Sequence, residues 1–223
     1  MKRTKLIDRI LPTYTKGEEV FNMVTHIVGG ALGVAYLVLS VLIGAFHSNP
    51  WAIVSASVYG ASTVTLFTMS SVYHGLRPST GKKVLQVLDH CTIYFMIAGT
   101  YTPITLCAMR EKYPFTAWTV FGVVWGLAAL GITLTAIDIK KHEKFAVVCY
   151  LCMGWCIIVP IKKTVDCIGI GGFFWILLGG VLYSIGVILY KIGVKKRYMH
   201  SVFHIFVDLA SIAQFLGIAL YVL

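Results

Sequence analysis

Three histidines far apart in sequence carry the most specific chemistry in this chain. His200-x-x-x-His204 places two imidazoles one helical turn apart on one face, the spacing that lets both reach a single metal ion. Such a pair also arises by chance and can serve as an interhelical hydrogen-bonding pair. His74 strengthens the metal reading if it reaches the same place. Three neutral imidazoles with one open position form the ligand set of catalytic zinc, which lowers the pKa of a bound water to about 7. Nickel or copper would fit the same imidazoles, so zinc rests first on the tetrahedral preference. Ser70 lies one turn before His74 and points the same way. Asp89 would orient or deprotonate the water, and Ser70 would hydrogen-bond it or a developing oxyanion.

Whether these residues meet depends on the elements that carry them. Of the 223 residues, 58% are hydrophobic and 13% charged, far below the roughly 25% charge of soluble domains. The reading is an all-α integral membrane protein. Apolar runs cover Val20–Ala45, Trp51–Tyr73, Val84–Ala108, Phe115–Ile137, Phe145–Ile161, Ile168–Tyr190 and His200–Leu223. They predict seven transmembrane helices in one bundle, with a polar cytoplasmic segment over 1–19 and the helical domain over 20–223. The fifth run is the shortest and ends at Pro160. The first is too long for a signal-peptide core and lacks a small-residue cleavage site, so it reads as a retained span.

With the N-terminus inside, the inner segments hold fifteen basic residues, Lys2, Arg3, Lys82 and Lys83 among them, against four outside. That asymmetry predicts a cytoplasmic N-terminus and an external C-terminus. It also accounts for the net charge of +10 as membrane topology, with no nucleic-acid partner expected. In this orientation the second span ends near His74, the seventh begins near His200, and Asp89 sits about two turns below the same inner face. An acid at that depth is costly unless paired, hydrated or near a cation.

Gly29-x-x-x-Gly33 and Gly122-x-x-x-Gly126 place small residues on helix faces, and the expectation is close packing within the bundle. Pro103 is expected to kink the third span. Asn22 and His26 share a face near Glu19, as a hydrogen-bonding group behind the metal or an ordinary capping and interhelical cluster, and His26 is left out of the metal shell. His90 is rotated about 100° from Asp89 and is expected to face elsewhere. His47 and His142 read as loop residues. The six cysteines are too dispersed for a zinc ribbon. Cys149-x-x-Cys152 reads as small hydrophobes, and a Cys107–Cys167 disulfide is open in an oxidising compartment.

Glu19-x-x-Asn22-x-x-x-His26, Ser70-x-x-x-His74, Leu88-Asp89-His90 and His200-x-x-x-His204 fall in the order and helices of the hemolysin III family, which the chain resembles along nearly its whole length. That family is related to the adiponectin and progestin receptors. The resemblance implies a seven-helix, N-inside fold with zinc on His74, His200 and His204, Asp89 contacting zinc through water, and Ser70 nearby. More distant relatives, the alkaline ceramidases, suggest hydrolysis of a lipid amide. Asp208 departs from the family pattern, where an apolar residue is expected. It continues the His200–His204 stripe one turn deeper, either extending a polar cavity or hydrogen-bonding a neighbouring helix in its protonated form.

The leading functional expectation is a zinc-dependent hydrolase of a lipid amide or ester at the cytoplasmic leaflet, in a bacterial plasma membrane. The alternative is a non-enzymatic sensor or regulator of membrane state, in which zinc staples spans two and seven. A transporter would favour charged sites at the membrane midplane, and a cytolysin would show amphipathic insertion segments, so both rank lower. Either leading reading makes membrane lipids the partners.

Overall fold

A computed structural model describes residues 4–47 and 49–223, so the basic residues Lys2 and Arg3 lie outside the described part. Seven α-helices follow in order: α1 (Lys16–Phe46), α2 (Pro50–Gly75), α3 (Thr80–Pro103), α4 (Pro114–Ile137), α5 (Glu143–Trp155), α6 (Ile161–Gly193) and α7 (Met199–Tyr221). Local chemistry sets several of the starts. Thr15 and Glu18 form a reciprocal capping box at α1, Asn49 caps α2 with Pro50 in its first turn, and the Ser79 side chain accepts from the Lys82 amide at α3.

Six of the seven, all but α5, are long and apolar enough to cross a membrane. At 13 residues α5 extends about 20 Å, short of the roughly 30 Å hydrocarbon layer, before a 3₁₀ turn over Cys156–Ile158. The outward surface is apolar, with Val24, Val54, Phe115, Ile170 and Ile188 all more than 45% exposed, as a lipid-facing surface requires. The chain is a multipass membrane protein.

α3 is the central helix. In its most apolar stretch 72% of the residues are buried, against 28% in α1 and in α4. After Pro103 it continues as a π-helix over Ile104–Met109, the local adjustment available where proline removes an amide donor. Thr102 and Thr105 hydroxyls donate to the Ala98 and Tyr101 carbonyls around the break. α6 contains its own interruption at Gly169, whose φ of +68° glycine adopts without the Cβ penalty.

The glycine expectation divides. A Cβ on Gly29 or Gly33 would press on Phe67 or Thr63, so α1 uses these positions to approach α2. Gly122 and Gly126 have nothing within 4 Å of such a Cβ, so the α4 pair does not pack inside the bundle as expected. The periodicity identifies one face of α4 but not what lies opposite it. All six cysteines are free thiols, so Cys107 and Cys167 are not joined.

Candidate metal centre

α2 delivers His74 from its last turn, and α7 delivers His200 and His204 from its first two. The ligand nitrogens of the three lie within 4.8 Å of one another. His74 and His204 are 2% and 1% exposed, so they meet in a space from which water is largely withdrawn. The Nε2 atoms of His200 and His204 face each other at 3.1 Å, and the buried His74 Nε2 has no hydrogen-bond partner. Orphaned imidazole nitrogens at this burial call for a partner, and a divalent cation would satisfy all three. The donor set therefore fits a zinc-type ion.

Ser70 and Asp89 border the same cavity, of about 180 Å³, as His200 and His204. Its wall continues through α3, α5, α6 and α7 as an apolar surface that includes Ile97, Ile104, Leu151, Val187 and Val207. A mostly apolar cavity with a few polar groups beside the histidines suits an amphiphile with its polar group there. His90 also lines this cavity. Its Nδ1 is 2.8 Å from the Gln86 carbonyl and 3.8 Å from Asp89 Oδ2. The expectation that His90 faces elsewhere is corrected, because the cavity wraps around more of α3 than one 100° step.

The first helix supports the cluster. His26 stacks on His204, with ring centroids 3.8 Å apart, beside the three-nitrogen group. Asn22 is fully buried; its Oδ1 accepts from the Ser201 hydroxyl at 2.6 Å, joining α1 to α7. Glu19 accepts from His74 Nδ1 at 2.6 Å and from the Lys82 ammonium at 2.5 Å. Asp208 is half-buried, and its Oδ1, which has no hydrogen-bond partner, lies 2.5 Å from where a Cβ on Gly29 would sit.

Two contributors escape a reading by sequence. Lys82, counted there as an inner-loop charge, is 2% exposed and donates also to the Leu76 carbonyl. Tyr14, from the polar N-terminal segment, stacks on His200 with centroids 5.0 Å apart and lies 5.6 Å from the His74 ring. Burial pushes its phenol well above the ordinary range, so it covers the histidine end of the bundle as a neutral group. Neither Lys82 nor Tyr14 carries a local sequence signal for these contacts.

The chain matches the family model described as Haemolysin-III related over residues 14–215. It is 34% identical over 206 residues to Hemolysin-3 of Bacillus cereus, covering 92% of each chain. It is 34% identical over 208 residues to the Hemolysin-3 homolog of Bacillus subtilis (strain 168), covering 93% of this chain and 96% of that one. The human Monocyte to macrophage differentiation factor is 29% identical over 216 residues, covering 92% and 84% respectively. No solved structure matches the chain.

Proposed function

The chain belongs to the haemolysin-III family, and from that premise we propose that it is a zinc-dependent hydrolase of lipid amide or ester bonds. In this reading it spans a bacterial plasma membrane with seven helices and an internal N-terminus, and serves membrane lipid homeostasis. The observation that carries the proposal is the shared cavity: Ser70 and Asp89 line it together with His200 and His204, within a lining that is mostly apolar.

His74, His200 and His204 would hold the ion, which when bound supplies Lewis acidity to polarise a carbonyl and acidify water. The apolar wall receives the acyl chain and leaves the carbonyl carbon at the histidine end. Asp89 takes the proton from the attacking water and returns it to the leaving amine or alcohol. The Ser70 hydroxyl donates to the carbonyl oxygen as negative charge develops there. Tyr14 shields the inner end from bulk water, which strengthens these interactions.

Purified, zinc-loaded protein should release fatty acid from a panel of lipid amides and esters, and Asp89→Asn should slow release at least about a hundredfold while zinc stays bound. Full metal occupancy without release from a broad panel would sink the hydrolase. A second reading, a structural zinc that ties α2 to α7 in a sensor of membrane state, is favoured by the ligands' distribution over those two helices. That role needs the histidines alone and would be indifferent to Asp89→Asn.

A further inference from the structure

We infer that Glu19 is a positioning residue for the metal proposed above, holding His74 as the Nδ1–H tautomer so that its Nε2 lone pair is free. We further infer that Lys82 decides which oxygen of Glu19 does this. The inference rests on the three-histidine metal reading but makes its own claim about how one ligand is prepared.

Two groups compete for His74 Nδ1. The Glu19 carboxylate, 2.6 Å away, can only accept and so requires a proton on Nδ1. The Asn22 amide nitrogen, 3.5 Å away, can only donate and would require a lone pair there. A short bond to a carboxylate is roughly twice as strong as one between neutral groups, and 3.5 Å is at the limit of hydrogen bonding, so Glu19 wins. Nε2 then carries the lone pair, and that is the buried atom with no partner of its own. A carboxylate behind a ligating imidazole fixes both its tautomer and its ring orientation.

Lys82 selects the geometry. Its ammonium lies 2.5 Å from the other Glu19 oxygen and 2.9 Å from the Leu76 carbonyl, the C-cap of the helix carrying His74. In Glu19→Gln the lone amide oxygen would be held by Lys82, turning the amide NH₂ toward His74 Nδ1. Both nearby amides would then ask for a lone pair on Nδ1, moving the proton to Nε2, where it blocks ligation. Removing the ammonium as well, in Glu19→Gln/Lys82→Met, frees the glutamine to rotate and accept from Nδ1–H again.

The test is Zn²⁺ affinity of detergent-purified protein, measured against a competing chelator, with metal-free thermal melts as a check on folding. Wild type and Lys82→Met should bind within about threefold of each other, Glu19→Gln should bind about 10–100-fold more weakly, and the double variant should recover most of that loss. A double variant as weak as or weaker than Glu19→Gln, or a Glu19→Gln equal to wild type, overturns the inference while leaving the metal site standing. Should Glu19→Gln fail to fold, the double variant decides against Lys82→Met: near-equal affinity supports the inference, and a loss beyond tenfold overturns it. Wild type that binds no zinc defeats the metal reading itself.

Discussion

The corner built by α1, α2 and the start of α7 differs from the side built by α4 and α5. In the corner, backbones approach closely: a Cβ on Gly60 would stand 2.5 Å from the Leu37 Cα, and one on Gly44 would meet the Ala52 backbone at 3.0 Å. Side chains tie α1 to the start of α7 at the histidine end, through Asn22 to Ser201 and through the Glu18 carboxylate, which accepts from the Tyr198 amide at 2.8 Å. On the other side Gly122, Gly126 and Gly154 meet nothing within 4 Å, and Gly131 meets a side chain, the Tyr94 ring, rather than backbone. The ligands stand in the corner, where the backbone leaves little freedom, while α3, α5 and α6 supply the apolar wall of the cavity. In the function proposed above, positional accuracy for a metal and room for a flexible acyl chain would make opposite demands on packing, and would be met by different helices.

Breaking the corner's chemistry should give the largest effect. His74→Ala and His204→Ala are each expected to lose near-stoichiometric zinc, measured by elemental mass spectrometry, while His26→Ala retains it because His26 stacks on a ligand without joining the group. Zinc retained in both ligand variants would move the metal elsewhere. Next in size is Asp89→Asn, which should keep zinc and lower lipid turnover about 10²–10⁴-fold, the usual contribution of a positioned general base. An equal loss of zinc would make Asp89 part of the metal's support.

The packing contrast predicts a smaller, paired effect on stability. Gly60→Ala drives a methyl into backbone atoms that cannot rotate away, so it should cost about 1–3 kcal/mol. Gly122→Ala meets open space and gains helix propensity, so it should be neutral or stabilising by up to about 1 kcal/mol. Reversible unfolding in mixed micelles reads both. Equal destabilisation would mean that Gly122 packs against something in the membrane, such as a second copy of the chain, and that the two sides differ less than the monomer suggests.

Much of this arrangement was legible in the residues. The 3.6-residue period puts His200 and His204 on one face, and the basic loops bring His74 to the same end of the bundle, so the convergence of three histidines follows from local patterns. Six of the seven apolar runs correspond to helices long enough to cross, and the brevity of the fifth showed in its distance from Lys144 to Pro160. Contacts made by chain ends and loop charges were not legible. Lys82 reads as one more inner positive charge, and only the tertiary fold turns it inward onto Glu19. Tyr14 belongs to a segment with no periodicity, and nothing local fixes where such a segment lands. His90 was misjudged because an angular step on one helix says nothing about how wide a neighbouring cavity is.

The smallest predicted effect concerns a strap joining the two sides. The Thr4 amide donates to Asp138 Oδ2 at 2.8 Å, the Arg9 guanidinium to the Ile137 carbonyl at 3.3 Å, and the Lys83 ammonium to the Ile7 carbonyl. The segment before α1 is thereby fastened to the C-terminal end of α4 and to the start of α3. The Thr4 amide first, with the Lys141 amide and Arg9 charge assisting, pulls the Asp138 carboxyl from 3.8 down to about 2. Because the docked value lies below the free one, this stabilisation is complete above about pH 4 and is lost as pH falls toward 2. One unit of pKa difference corresponds to about tenfold in the docking equilibrium, so this shift of nearly two units should lower the hydrogen-exchange protection factors over residues 4–9 by roughly ten- to fiftyfold across that window. Asp138→Asn should show the faster exchange already at neutral pH. The amides of α1 and α2 should remain protected in both cases; if they exchange along with the strap, the corner depends on this tie and is not the independently rigid half of the molecule.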